Sequence, residues 1–253
     1  MTESFRAAEC VITPATYAEA VRQAREMGAL PNSILRGGGN LCGYLGELIT
    51  LEYLRSIGVD VVQENTRDYD LRLTETNRTI DVKSKSCTSA PLAHYEQSVL
   101  SQNTVQLCDF YVFVRVQRRL TNRRRAFRVT DVQADDAHAD NQLYDRAYIV
   151  GYLPKQAYFE QATIRRVDDF DASNGLRFRH ECYNIQCDQL KSIDGIASDA
   201  CNTHVASAEV SMQQVRERLA PSRPKMWSNT APTLDLSDEA TRLALEAALQ
   251  AIR

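Results

Sequence analysis

Tyr69-Asp70-Leu71-Arg72-Leu73, followed after a short polar break by Thr79-Ile80-Asp81-Val82-Lys83-Ser84-Lys85, is the stretch that decides the fold. Side chains two apart on a strand share a face, so Asp81 and Lys83 project together while Ile80 and Val82 turn the other way, toward a core. In the earlier run Asp68, Asp70 and Arg72 share one face, and Tyr69, Leu71 and Leu73 the other. The break, Thr74-Glu75-Thr76-Asn77-Arg78, is polar and contains Asn, as a hairpin loop would be. An antiparallel hairpin then sets Asp70 beside Asp81 and Lys83. Two carboxylates that close repel unless a cation or a proton intervenes, so the pairing asks for a metal. Hard oxygen donors that leave room for water and phosphate favour Mg²⁺ or Mn²⁺ over zinc.

Ahead of the hairpin, Tyr44, Leu48, Leu51, Leu54 and Ile57 recur at helical spacing, and Gly58 stands where a C-terminal cap belongs. Glu47 lies at the margin of that apolar face. A carboxylate on a buried seam needs a partner, which a metal cluster supplies; the alternative is a solvated glutamate at the edge of a helix. For Asp81 and Lys83 the alternative is an exposed cross-strand ion pair, which contributes little and leaves Asp70 and Glu47 unexplained.

A helix carrying Glu, a strand carrying Asp and a following strand carrying Asp-x-Lys, in that order, resembles the PD-(D/E)xK nuclease superfamily over roughly residues 40–115. The resemblance implies an α/β fold: a restriction-endonuclease-like mixed central sheet flanked by helices. It implies metal-dependent hydrolysis of nucleic-acid phosphodiesters, with DNA the default substrate. By the resemblance Asp70 is the first motif acid, Asp81 the second, Lys83 the lysine, and Glu47 the acid of the first helix. Asp70, Asp81 and the Val82 carbonyl would then hold Mg²⁺, for which Mn²⁺ substitutes. Glu47 would bind a second ion or a metal-bound water, and Lys83 would hold the attacking water. The chain departs from the pattern at Tyr69, where the family signature has proline. Such enzymes commonly act as homodimers, since one site cuts one strand. An endonuclease of restriction, homing or junction-resolving type is expected; an exonuclease or nickase, or an inactive DNA-binding module on the same fold, are the alternatives.

Composition fits without deciding. A chain of 253 residues with 43% hydrophobic and 25% charged residues is ordinary for a globular protein with one substantial core. No apolar stretch approaches a membrane span and the N-terminus lacks a signal-peptide pattern. Seven cysteines without framework spacing suggest reduced thiols and a cytoplasmic protein. The net charge of −3 is unhelpful for DNA binding, but arginines cluster at Arg115, Arg118, Arg119, Arg123, Arg124, Arg125 and Arg128 around a hairpin turn expected at 120–122. They read either as a phosphate-contacting patch, with Arg118, Arg119, Arg123, Arg124 and Arg125 at its centre, or as a solvated strand end.

Elsewhere, 14–27 reads as a helix, 108–114 as a central strand, 127–129 and 147–153 as further strands, and 154–162 as a short helix. Gln97 and Gln102 are candidates for an additional polar residue at the site. The acidic run 135–140 suits solvent better than a metal cage. Cys182, Cys187, Cys201 and His204 are soft enough ligands for zinc, but their spacing is loose and buried free cysteines are common. Residues 205–220 and 237–253 have helical periodicity and are separated by prolines. The expected organisation is a nuclease domain over 1–195 and a helical extension or oligomerisation arm over 196–253.

Overall fold

Strand β4 (Thr79–Cys87) is long, with Ile80 and Val82 on one face and Asp81, Lys83 and Lys85 on the other. The computed structural model describes residues 5–27, 40–119, 142–171 and 176–202. In chain order its elements are β1 (Ala8–Val11), α1 (Pro14–Met27), α2 (Asn40–Ser56), β2 (Val61–Gln63), β3 (Leu71–Leu73), β4, β5 (Glu96–Leu100), β6 (Phe110–Arg118), β7 (Tyr144–Pro154), α3 (Lys155–Gln161), β8 (Thr163–Arg165), β9 (Phe170–Asp171), β10 (Leu176–Arg177), β11 (Cys182–Gln186) and α4 (Ile196–Asn202). Six strands form a mixed sheet in the order β1-β7-β6-β4-β3-β2, with β4 and β6 parallel and the other neighbours antiparallel. A smaller sheet, β5-β11-β8, and the ribbon β9-β10 complete the described part. The architecture is mixed α/β.

Alternation explains the two faces of the large sheet. Ile80 and Val82 of β4 and Val112, Val114 and Val116 of β6 join Leu45, Leu48 and Ile49 of α2 in one buried cluster. Helix α2 lies close because position 46 is glycine: a Cβ there would stand 1.8 Å from Ser84 Oγ. Gly58, at φ 82°, ends the run as expected; its N–H donates to Arg55 O and that of Val59 to Leu54 O. Ile57 departs from the expected apolar face. It lies beyond the last helical residue and is exposed. The opposite face of the sheet carries Tyr111 and Phe113, packed ring to ring with Tyr158 and Phe159 of α3.

The helices expected at 14–27 and 154–162, the central strand at 108–114 and the strand at 147–153 are α1, α3, β6 and β7. The strand expected at 69–73 is shorter: β3 begins at Leu71, and Asp70 stands just ahead of it. The chain divides into two compact units, Met1–Arg216 and Glu217–Arg253, and every described residue belongs to the first. Ile196 and Ala200, in the segment expected to open the C-terminal extension, are buried in the main core cluster. The readings of 120–129, 135–140, 205–220 and 237–253 lie outside the described residues. No described helix is long and apolar enough to cross a membrane.

Candidate active site

The β3–β4 hairpin pairs Leu71 with Ile80, and Asp70 stands just beyond that pair, next to the segment that carries Asp81. The Asp70 N–H still donates to Ile80 O at 2.9 Å, but there the strands part. The Val82 N–H is left without a backbone partner across the hairpin, and Asp70 Oδ2 accepts it at 2.7 Å. The carboxylate of Asp70 is therefore fixed by the backbone of the strand that carries Asp81 and Lys83. The Asn77 backbone, at φ 56°, makes the tight return that brings the two acids together.

Asp81 is 3% exposed, and Lys83 Nζ lies 2.5 Å from its Oδ2. This is no exposed surface pair. Despite the short distance, that oxygen makes no hydrogen bond of proper geometry, so a buried acceptor has capacity to spare. Lys83 Nζ donates to Gln106 Oε1 at 2.8 Å and lies 5.8 Å from the centre of the Tyr111 ring. Gln106 in turn donates through Nε2 to Arg67 O, which ties the chain before β6 to the chain before β3.

Glu47, on α2, reaches the same place. It is partly buried, and its Oε2 accepts from Gln63 Nε2 at 3.2 Å. Burial pushes its carboxyl up to about 7; the Gln63 bond opposes this, the charge of Asp81 adds to it and Lys83 opposes it. That half-burial and the Gln63 contact favour a partnered Glu47 over the solvated edge. Asp70 is likewise raised well above the usual carboxylate range, first by burial, then by the charges of Glu47 and Asp81, against the Val82 N–H and Lys83. The three acids lie within one another's electrostatic reach, with Lys83 against Asp81 and Lys155 nearby, and gathering them costs free energy unless positive charge is added. Among the described residues no three His, Cys, Asp or Glu side chains converge as a ready-made cage. One oxygen of each of Asp70 and Glu47 is turned to Val82 and Gln63 respectively. In donor chemistry the residues fit a hard divalent cation: carboxylate oxygens, an unsatisfied Asp81 Oδ2 and no soft ligand among the three acids.

The chain matches no family model and no curated protein. The resemblance of Glu47, Asp70, Asp81 and Lys83 to a nuclease signature therefore rests on these residues and their geometry alone.

Residues that sequence reasoning missed stand around this core. Gln106 holds Lys83, whereas Gln97, one of the two expected, is buried and donates to Cys187 Sγ. The side chain of Gln102 lies outside the described set. Lys155, at the start of α3, donates to the Gln106 carbonyl; burial lowers its affinity for a proton, against the pull of Cys108 and Asp81. Nothing in the spacing of 106 or 155 announces either residue, because both arrive through tertiary contact.

Of the expected DNA-contacting arginines, Arg119 pairs with Asp145 at 3.5 Å and Arg118 ends β6, half-buried, while Arg123, Arg124 and Arg125 lie outside the described residues. Cys182 and Cys187 are buried, Cys201 is exposed and His204 lies outside the described residues.

Proposed function

We propose that the chain is a divalent-metal-dependent nuclease that hydrolyses DNA phosphodiester bonds on a restriction-endonuclease-like core. The observation that carries this reading is the lock between Asp70 Oδ2 and the Val82 N–H. It fixes Asp70 to the strand that carries Asp81, with Lys83 against Asp81 and Glu47 within electrostatic reach of both acids. The mixed sheet flanked by helices is compatible with such a core.

Asp70, Asp81 and the Val82 carbonyl are the oxygens that would hold Mg²⁺ or Mn²⁺. A bound ion supplies neutralisation of charge at the phosphate and a more acidic water. Lys83 has three donor positions: one faces Asp81, one is bonded to Gln106, and the third is left for a water or a phosphate oxygen. An ammonium fixed from two sides is pre-oriented toward negative charge developing on the phosphate oxygens. Glu47, held through Oε2 by Gln63, keeps Oε1 to accept a hydrogen bond from an incoming water. In the metal-free chain burial raises its proton affinity, and a cation bound among the acids would lower it again and favour the carboxylate as an acceptor. Because one such site cuts one strand, cutting both strands of a duplex calls for a second copy of the chain, and a homodimer belongs to the proposal.

The test is incubation of supercoiled circular DNA with the full chain and Mg²⁺, set against Asp81→Asn and Lys83→Met. Nicked or linear product from the native chain alone supports an endonuclease. Degradation of linear DNA with the circle untouched supports an exonuclease on the same site. DNA left intact in every form while it remains bound would remove the nuclease reading and leave a binding module.

A further inference from the structure

The alternation that places Asp81 and Lys83 on one face of β4 continues to Lys85, about two residue steps, or roughly 6.6 Å, past Lys83. Lys85 is in register with Arg115 on the parallel neighbour β6. Two cations therefore stand side by side on the active-site face, in the space where β5 crosses it. Their bonds go to neutral atoms. Lys85 Nζ donates to Ser98 Oγ at 2.6 Å and lies 3.5 Å from Glu96 O. Arg115 Nη2 donates to Glu96 O at 2.6 Å, and its guanidinium lies 5.9 Å from the Tyr95 ring centre. Arg115 Nε is buried and makes no hydrogen bond.

The carboxylate of Glu96, whose backbone both cations contact, is committed elsewhere. Glu96 is paired with Arg165 and accepts from Asn184 Nδ2 at 2.8 Å. Asp171 contributes field at both cations, but among the described residues no carboxylate forms an ion pair with either. Burial, then the charge of Arg115, pushes the Lys85 amine down to about 8. Two adjoining cations that lack a counter-ion are unfavourable in a recess, and packing alone would be served better by apolar residues. Both residues are half-buried.

We propose that Lys85 and Arg115 form a phosphate subsite of the nuclease read above, seating the phosphate next to the one that is cut. The separation of Lys85 from Lys83 is comparable to that between successive phosphates of a nucleic-acid strand. Arg115 offers a planar fork and Lys85 a point charge, a pairing suited to a phosphate held from two sides. The same chemistry fits an internal diester or a terminal monoester.

The proposal rests on the nuclease reading for its place in the reaction, but binding without divalent metal tests it separately. The dissociation constant of the full chain for DNA oligonucleotides, with a 5′-phosphate or a 5′-hydroxyl, is measured across a salt series for the native protein and Lys85→Met. Lys85→Met is expected to bind about tenfold more weakly, with the slope of log affinity against log salt reduced by about one. Its melting temperature should be kept or raised, since a buried cation without a carboxylate partner has gone. Lys85→Gln, which keeps a donor for Ser98, should lose as much. A loss confined to the 5′-phosphorylated oligonucleotide assigns the site to a strand end; an equal loss on both assigns it to the internal backbone. Native affinity and slope in both variants would overturn the subsite, and a lower melting temperature with unchanged binding would make Lys85 a packing residue. A native chain that cuts nothing while Lys85→Met still loses affinity would sink the nuclease reading and spare the subsite.

Discussion

Glu47 carries the clearest signature of a site built at the expense of stability. Burial sets its carboxyl near 7 in the folded chain, against about 4.5 when unfolded. A folded-state value raised in this way favours the native state fully below about pH 4.5. The benefit is then lost as pH rises through 7, where the buried acid must ionise. Glu47→Gln removes that loss. In the absence of divalent metal the variant should melt higher than the native chain at pH 8, by an amount on the order of 3 kcal/mol. The advantage should shrink to nothing toward pH 4.5, and a difference constant across that range would contradict the assignment. Gln106 makes a second residue-scale case. It holds Lys83 Nζ at 2.8 Å, so Gln106→Ala leaves the ammonium to Asp81 and the Tyr111 ring, without its hydrogen-bond partner. Under the proposed chemistry kcat should fall between about tenfold and a hundredfold with KM little changed. Steady-state kinetics of the variant check this, and a change confined to KM would place Gln106 in binding instead.

At the scale of elements, the site depends on how closely α2 lies on β4. Gly46 precedes Glu47, and the Cβ of an alanine there would meet Ser84 Oγ at 1.8 Å and Ser84 Cβ at 3.0 Å. Gly46→Ala should therefore cost about 1–3 kcal/mol in denaturant unfolding, and Ser84→Ala in the same chain should recover most of it. Failure of the second change to compensate would mean that the helix is set by other contacts. The hairpin was legible in the sequence because a period of two, a polar loop with Asn77 and flanking aliphatics all agree. Helix α2 was legible from Tyr44, Leu48, Leu51, Leu54 and the stop at Gly58. The start of β3 was misjudged by two residues, since Asp70 satisfies Val82 with its side chain and parts the strands where alternation alone would extend them. Lys85 was within reach of the same i, i+2 argument that selected Lys83. Gln63, Gln106 and Lys155 were not, because their positions depend on which loops and strands lie beside the hairpin.

Across the molecule, the large sheet separates two kinds of interior. One face is an aliphatic core under α2; the other is aromatic around Tyr111, Phe113, Tyr158 and Phe159, with the charged positions of β4 along its margin. The acids Glu47, Asp70 and Asp81 come from α2, the chain entering β3, and β4, so they meet only once the sheet has closed. Under the proposed function, this gathering of acids would bind a cation in the folded chain and not in the unfolded one. The measurement closest to this claim is calorimetric titration of the metal-free chain with Mn²⁺ at pH 8, repeated on Asp70→Asn and Asp81→Asn. Saturable binding by the native chain, lost or weakened at least about tenfold in both folded variants, is the expected result. Native-like Mn²⁺ binding in both variants, or none in the native chain, would contradict the account.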